Sequence, residues 1–168
     1  WDQAIEMAER LIGAKRRRWR LLVSELRQNR WKSTPLEMLG RWVGGGTPSK
    51  AEKEYWENGD IPWVSPKDMT GWQVSSSEDT ITARAVRESA TQLLPAGSVL
   101  VVTRSGILRT KVPVAVATKA VSINQDIKAL VLTDVRFGSI VAALLQAEAD
   151  RLRQATVKTG TTVESIDF

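Results

Sequence analysis

The chain of 168 residues contains no cysteine and no histidine. Without cysteine it has no disulfide and no thiolate nucleophile, which is compatible with a cytoplasmic location. The two absences together exclude Ser-His-Asp and Cys-His nucleophilic sites and the usual zinc sites. Only a metal held by carboxylates remains open. Long apolar runs are missing too: none approaches the roughly 20 residues of a membrane span, and no signal-peptide pattern opens the chain. The composition therefore argues against a membrane protein and leans away from an enzyme.

The net charge of +5 comes from one end of the chain. Residues 1–32 contain nine Lys and Arg against four Asp and Glu, whereas residues 33–168 contain fifteen of each. The isoelectric point of about 9.8 is therefore no evidence that the second part binds nucleic acid. Within that part, residues 104–128 have five basic residues against one acidic residue. This local excess fits a DNA-contacting surface and a solvated strand face equally well.

Residues 1–32 are predicted to form one long helix. Apolar residues recur at steps of four and three from Trp1 to Leu26, and Lys15 is the only charge in that row. This period is typical of a coiled coil, so the row predicts an interface with another helix, with a second copy of the chain or with the domain that follows it. The basic residues on the other faces could contact phosphates, but a charge run of this kind is somewhat more typical of a solvated helix face. The predicted interface residues are Trp1, Ile5, Ile12, Trp19, Leu22 and Leu26.

Residues 33–168 alternate short predicted strands with short predicted helices. The strands are predicted at residues 36–43, 61–65, 98–103, 112–117 and 127–132. The helices are predicted at about residues 49–56, 82–89 and 139–154, with Ser49, Thr82 and Ser139 as their caps. The inward face of the last helix is assigned to Ile140, Val141, Leu144, Leu145 and Leu152. The predicted class is α+β: a single mixed α/β domain, residues 33–168, preceded by a long coiled-coil-type helix, residues 1–32.

Four segments, in this order, carry a resemblance to a known family. They are GGGTPSK with YWENGDIPWVSPKDM at residues 44–50 and 55–69, LPAGSVLVVTRSG at 94–106, INQDI at 123–127 and GTTVESI at 160–166. One such string alone would be a weak signal, because short Gly- and Pro-rich strings recur by chance. Together they make the chain resemble a target recognition domain from the specificity subunit of type I restriction–modification systems.

The resemblance implies a non-catalytic protein that recognises a sequence in double-stranded DNA. It implies no cofactor in this chain, because partner methyltransferase subunits bring S-adenosylmethionine and, through them, ATP-dependent restriction subunits join the complex. It also implies that residues 1–30 pack antiparallel against a second conserved helix, which holds two recognition domains apart.

Basic and amide side chains in the predicted loops are the candidate DNA contacts. Arg and Lys suit guanine O6 and N7 or a phosphate, and Asn and Gln suit adenine N6 and N7. For Asn124 an equally open interpretation is that its amide satisfies backbone groups at the start of a strand. Trp56 and Trp63 are predicted to be core residues rather than contacts. The candidate DNA-binding residues are Lys50, Lys67, Arg104, Ser105, Arg109, Lys111, Asn124 and Gln125.

Two other functions remain open on the residues alone. Asp126-Ile127-Lys128 matches the second half of a Pro-Asp…Asp/Glu-x-Lys nuclease signature, for which Glu88 and Asp79 are the nearest candidate partner acids. A helical oligomerisation protein with a small folded head would explain the heptads but not the four ordered segments. An adenine methyltransferase is excluded, because the catalytic Asn/Asp-Pro-Pro-Tyr/Phe string and a glycine-rich cofactor loop are both missing.

Overall fold

The computed structural model describes residues 2–28, 35–158 and 165–166, and the chain divides into two compact units, Trp1–Thr34 and Pro35–Phe168. The first unit contains helix α1 (Asp2–Gln28). Its 27 residues rise about 40 Å at 1.5 Å per residue. Among the residues that the structure describes, none of the helices combines the length and the apolar character needed to cross a bilayer.

Of the six predicted interface residues of α1, only Ile5 has a side chain that the structure describes. Ile5 is 55% exposed, as an unpaired seam requires. The side chains of the other five lie outside the described residues: Trp1, Ile12, Trp19, Leu22 and Leu26. Three further apolar side chains that the sequence analysis overlooked are also exposed, and each lies one position before a heptad position: Met7, Leu11 and Leu21. The predicted helix–helix pairing stays a prediction, and the apolar stripe is wider than the sequence analysis assumed.

The second unit is built on two β-sheets. Its strands are β1 (Gly40–Gly44), β2 (Ile61–Val64), β3 (Gln73–Val74), β4 (Thr80–Ile81), β5 (Val99–Val102), β6 (Val114–Ala117), β7 (Ser122–Ile123) and β8 (Ile127–Leu132). The larger sheet has the order β1-β8-β5-β6-β3 and is antiparallel except for the parallel β3–β6 pair. In the smaller sheet, β4-β2-β7, strand β2 is antiparallel to β4 and parallel to β7. Strands β9 (Val157–Lys158) and β10 (Ser165–Ile166) form an antiparallel pair.

Three helices complete the second unit: α2 (Ala83–Glu88), α3 (Gly138–Ala147) and α4 (Ala149–Thr156). The main core lies around β5, β6 and β8, because every residue of β5 and β6 is buried and α3 packs against both strands. Among its fully buried side chains are Leu100, Ile127 and Leu130. A smaller cluster of Trp63, Ile81 and Ala85 lies under the second sheet. The mixed α/β architecture of the sequence prediction is confirmed.

The helix prediction at Thr82 is correct, whereas the first predicted strand starts four residues too early. The Thr82 hydroxyl accepts a hydrogen bond from Ala85 N at 3.3 Å and so caps α2. Residues Leu36–Met38 form a 3-10 turn instead of a strand. That turn is closed by a bond from the backbone N–H of Met38 to the carbonyl of Pro35 at 3.0 Å, so regular sheet pairing begins only at Gly40.

The predicted capping box at Ser49 and Glu52 is wrong. Glu52 precedes only a short 3-10 turn, Lys53–Tyr55, and makes no side-chain capping bond. The capping box of this region forms at Ser65 and Asp68, where the Asp68 carboxylate accepts bonds from both the backbone N–H and the hydroxyl of Ser65, each at 2.8 Å. A Ser followed by an acid three residues later occurs at both places, and Pro66 at the first helical position favours the second.

The predicted helix at 139–154 is two helices, α3 and α4, and its inward face is partly wrong. Ser139 is not the cap, because α3 already begins at Gly138 after a 3-10 turn. The face of α3 that packs on the sheet consists of Gly138, Val141, Ala142 and Leu145. These positions follow the i, i+3, i+4, i+7 spacing of one helix face. Ile140 and Leu144 lie off that face and are exposed, at 55% and 36%.

Candidate nucleic-acid interface

Four connections between strands meet at one end of the second unit. Strands β2 and β7 are parallel, so the residues that follow them, Ser65 and Asn124, lie side by side; Asn124 N donates to Val64 O at 2.9 Å. The short turn after β7 leads into β8, whose first residues pair with the last residues of β1 and β5. The loop end is therefore defined by four segments: residues 45–50, 65–68, 103–111 and 124–126.

All eight candidate DNA-binding residues lie in the loop end, although they are spread over positions 50–125 of the sequence. The segment after β1 contributes one of them, the segment after β2 one, the connection from β5 to β6 four, and the turn after β7 two. In this order they are Lys50; Lys67; Arg104, Ser105, Arg109 and Lys111; and Asn124 and Gln125. The sheet topology, which the sequence analysis did not predict, brings the four segments to one end of the second unit, where Asn124 itself is buried.

The glycine-rich segment after β1 is fixed against the turn after β7. Gly46 donates its N–H to the carbonyl of Ile123 at 3.0 Å, and its own carbonyl accepts the indole N–H of Trp63 at 2.9 Å. A Cβ atom on Gly45 would lie 1.9 Å from the carbonyl oxygen of Asn124, so only glycine permits this approach. The hydroxyl of Thr47 donates to the side-chain oxygen of Gln125. These contacts hold two of the four segments in one arrangement.

Two tryptophans hydrogen-bond to the backbone of the same glycine-rich segment. Trp63 is buried, as predicted, and Trp56 is half-buried; their rings meet edge to face with centroids 5.1 Å apart. The indole N–H of Trp56 donates to the carbonyl of Ser49 at 3.0 Å, and the Lys50 ammonium lies 5.8 Å from the centre of the Trp56 ring. A cation over an indole face is attracted to it, so Lys50 has a preferred position at the surface of the loop end.

Asn124 is buried, and its amide bonds to its neighbour. It is 5% exposed; its side-chain N–H donates to Asp126 Oδ2 at 3.0 Å, and its side-chain oxygen accepts the backbone N–H of Asp126 at 3.1 Å. Of the two interpretations of Asn124, this geometry favours the structural one. The other oxygen of Asp126 accepts the Nε–H of Arg104 at 2.7 Å. Arg104 and Asp126 thus form an ion pair at the surface of the loop end.

Lys67 is paired with two carboxylates that the sequence analysis did not associate with it. Its ammonium lies 2.9 Å from Glu78 and 3.2 Å from Asp79. Hydrogen bonds to Glu78 and Asp79 raise the pKa of Lys67 above its ordinary value. Asp68, the neighbour of Lys67, brings these two acids to the loop end. Its carboxylate accepts the backbone N–H of Glu78 at 2.9 Å. Lys67 is therefore charged at neutral pH but surrounded by negative charge.

The connection from β5 to β6 is anchored at both ends. The Ser105 hydroxyl accepts the N–H of Ile107 at 3.4 Å and caps a 3-10 turn, Gly106–Arg109, whose Leu108 is fully buried. The carbonyl of Arg109 accepts a bond from the guanidinium of Arg153 in α4 at 3.2 Å. The side chains of Arg109 and Lys111 are exposed. Arg153 was missed, because nothing in the sequence indicates that α4 lies beside this connection.

The three acids of the nuclease alternative are not brought together. Asp126 bonds to Arg104 and Asn124, whereas Glu88 bonds to Tyr55 and Arg84, and Asp79 to Lys67. The hydrogen bond from Arg84 lowers the pKa of Glu88. In the described part of the chain there is no group of three or more acidic side chains placed to hold a metal ion. The structure therefore gives the nuclease interpretation no support.

Comparison with known proteins identifies the family. Residues 29–166 match the family described as "Type I restriction modification DNA specificity domain". The chain is 44% identical over 137 residues to the Type I restriction enzyme EcoR124I/EcoR124II specificity subunit of Escherichia coli, which covers 82% of this chain and 33% of that protein. It is 35% identical over 107 residues to the MjaIX specificity subunit of Methanocaldococcus jannaschii, covering 62% of this chain and 24% of the relative.

The fold has a counterpart among solved structures. The HsdS subunit from Thermoanaerobacter tengcongensis superposes with a TM-score of 0.56 at 15% identity, over 98% of this chain and 43% of that one. The chain thus spans about a third of the length of the Escherichia coli relative. Since the family match covers most of the sequence and the fold agrees with it, the chain belongs to the family of type I restriction–modification DNA specificity domains.

Proposed function

We propose that the chain recognises a sequence in double-stranded DNA, as one target recognition domain of a type I specificity subunit. The observation that carries this proposal is the loop end: four connections separated in sequence meet at one end of the second unit and contain all eight candidate residues, of which Asn124 is buried. The contacts of its glycine-rich segment with Trp63 and Ile123 give that surface a defined shape. A defined arrangement of donors and acceptors is what reading base edges in a DNA groove requires.

Four of the basic residues of the loop end divide into two kinds. Arg104 and Lys67 form ion pairs with carboxylates, so each contributes little net positive charge to the surface. Lys50 and Lys111 are exposed cations in segments that frame the surface. Phosphate contacts provide affinity without sequence information, whereas base contacts provide specificity. We assign Lys50 and Lys111 to phosphates, and Arg104 and Gln125 to bases.

In the intact protein, α1 would serve as a spacer and not as a reader. Its exposed apolar residues, among them Ile5 and Leu11, would be covered by the antiparallel second conserved helix or by a second copy of the chain. Methyltransferase subunits, and restriction subunits through them, would supply the chemistry in the cytoplasm, so this chain would act without a cofactor of its own. The presence of such helices would fix the distance between two recognition domains.

The assignment of Lys111 to a phosphate predicts a uniform effect on DNA binding. Lys111→Ala should weaken binding to every duplex by a similar factor and should lower the slope of log K against log salt by about 1, because one fewer counterion is released. The measurement is a titration of a labelled duplex at several salt concentrations, using the chain in complex with its cognate methyltransferase subunit.

Lys119→Ala is the matched control for that titration. Lys119 is also an exposed lysine of the same basic segment, but it precedes β7 and so lies at the opposite end of that strand from Asn124. Its removal should leave affinity and salt slope close to those of the parent. Equal effects of the two substitutions would mean that the loop end is not the DNA-binding surface.

A further inference from the structure

Three residues of the loop end form a chain of contacts that runs from the interior to the surface. Asn124 is 5% exposed, the side chain of Asp126 25% and that of Arg104 53%. Each oxygen of the Asp126 carboxylate has its own donor: Arg104 Nε at 2.7 Å on Oδ1 and Asn124 Nδ2 at 3.0 Å on Oδ2. A buried amide therefore holds a half-buried carboxylate, and that carboxylate holds an exposed guanidinium.

The backbone fixes the same three residues. The carbonyl of Asp126 accepts the N–H groups of Thr103 and Arg104 at 2.8 and 3.1 Å and the hydroxyl of Thr103 at 3.2 Å. The backbone of Arg104 and the carboxylate that receives its Nε are thus held together by hydrogen bonds between two neighbouring segments of the loop end. An arginine side chain has large rotamer freedom, and fixing it before a ligand arrives removes that ordering cost from binding.

We propose that Asp126 is a positioning residue that holds the Arg104 guanidinium in the orientation needed to read one guanine of the target, with Asn124 holding Asp126. This rests on the proposed DNA-reading function and names the residue pair that gives it specificity at one base pair. A guanidinium has five N–H donors, so a bond through Nε does not exhaust them. The donors of the two terminal nitrogens match guanine O6 and N7 in the major groove.

The ion pair makes a guanine a better partner for Arg104 than a phosphate. Phosphate contacts draw their strength from net positive charge and counterion release, and the Asp126 carboxylate at 2.7 Å offsets the charge of Arg104. A base contact depends instead on the direction of the donors, which the same carboxylate fixes. The carboxylate would also repel a phosphate placed beside it, which disfavours contacts out of register.

The test is Asp126→Asn in the complex of the chain with its cognate methyltransferase subunit. The substitution preserves the shape but turns one oxygen into an N–H donor, which must then face either Arg104 Nε or Asn124 Nδ2, both of which are donors. The probe is a pool of duplexes with a randomised central segment, and the readout is base preference at each enriched position. Preference at one G·C pair should fall about 5- to 150-fold, while affinity for unselected DNA stays equal or rises because a negative charge is lost.

Asp134→Asn is the charge-matched control. Asp134 pairs with Arg136 at 2.7 Å in a similar ion pair, but it lies two residues beyond the far end of β8 and so away from the loop end. It should leave every base preference as in the parent. Arg104→Lys, which keeps the charge and loses the planar fork, should relax the same G·C pair, and adding Asp126→Asn to it should cause no further loss, because the two residues act on one contact.

Three results would overturn the assignment. If Asp126→Asn enriches the parent motif without change, the carboxylate does not position Arg104. If all base preferences fall together with the unfolding midpoint, Asp126 only stabilises the turn. If Arg104→Lys keeps full preference at the position relaxed by Asp126→Asn, the guanidinium is not the reader. A parent chain that enriches no motif would refute the proposed DNA-reading function itself, which separates that failure from a failure of this residue pair.

Discussion

Gly45→Ala is expected to remove sequence-selective DNA binding, whereas Gly44→Ala, one residue earlier, should leave it intact. A Cβ at position 45 would lie 1.9 Å from the carbonyl oxygen of Asn124 and 2.5 Å from that of Ile123. Both obstacles are backbone atoms, one in the last residue of β7 and one in the turn after it, so no side-chain rotation relieves the overlap. The glycine-rich segment must move away from that turn, which separates two of the four segments of the loop end.

The size of this effect follows from the cost of overpacking, about 1–3 kcal/mol. If the chain avoids that cost by displacing the segment, the contact of Thr47 with Gln125 is lost and the DNA surface changes shape. We expect selectivity between the preferred duplex and random duplexes to fall by roughly tenfold or more, since 1.4 kcal/mol corresponds to a factor of ten. Competition titrations measure it, and thermal unfolding checks that both variants fold.

The matched control depends on the empty space beside Gly44. A Cβ added there meets no atom within 4 Å, so Gly44→Ala tests the effect of a methyl group on the same strand end without a clash. Parent-like selectivity in Gly45→Ala would show that the segment does not need this close approach, and that the loop end does not act as one surface.

An insertion of four residues in α1 is expected to change the spacing of the recognised sequence without changing the bases read. Four helical residues add about 6 Å at 1.5 Å per residue, which is roughly two base pairs of B-DNA at 3.4 Å each. The insertion is placed directly after Gly13. A Cβ added to Gly13 would meet no atom within 4 Å. The proposed second helix would transmit the added length to the other recognition domain.

The experiment requires the intact specificity subunit in complex with methyltransferase subunits, and the readout is the gap between the two enriched half-sites. Gly13→Ala, which changes the same position without adding length, is the control and should keep the parental gap. Altered bases in the half-site assigned to this domain would contradict the proposal that α1 only spaces the readers. An unchanged gap would contradict the proposed role of α1 itself.

Much of the main sheet could be predicted from local sequence, because its strands are rich in β-branched residues. The runs that become β5, β6 and β8 were recognised within two residues of their ends, and the Thr82 cap of α2 was correct. Strands β3, β4 and β7 have only two residues each. A two-residue strand has no measurable periodicity, so the second sheet, and with it the meeting of four connections, could not be derived from the sequence.

The candidate residues could be chosen from the sequence by their chemical type, but the ion pairs that they form could not be predicted from it. Lys67 and Glu78 are eleven positions apart and meet because Asp68 draws the intervening segment back. Asp126 was considered as a nuclease acid because of its tripeptide, whereas the structure pairs it with Arg104. Which charges offset each other depends on long-range turns, and a sequence pattern contains no direct signal for that.

Selection of bound duplexes from a random pool, with the chain in complex with its cognate methyltransferase subunit, tests whether the loop end reads DNA. The parent should enrich one short motif. A variant in which Lys50, Arg104, Lys111 and Gln125 are all replaced by alanine should still fold with a cooperative unfolding transition, because these side chains lie outside the core, and should enrich no motif. Enrichment of the same motif by parent and variant, or of none by the parent, would contradict the function proposed for this domain.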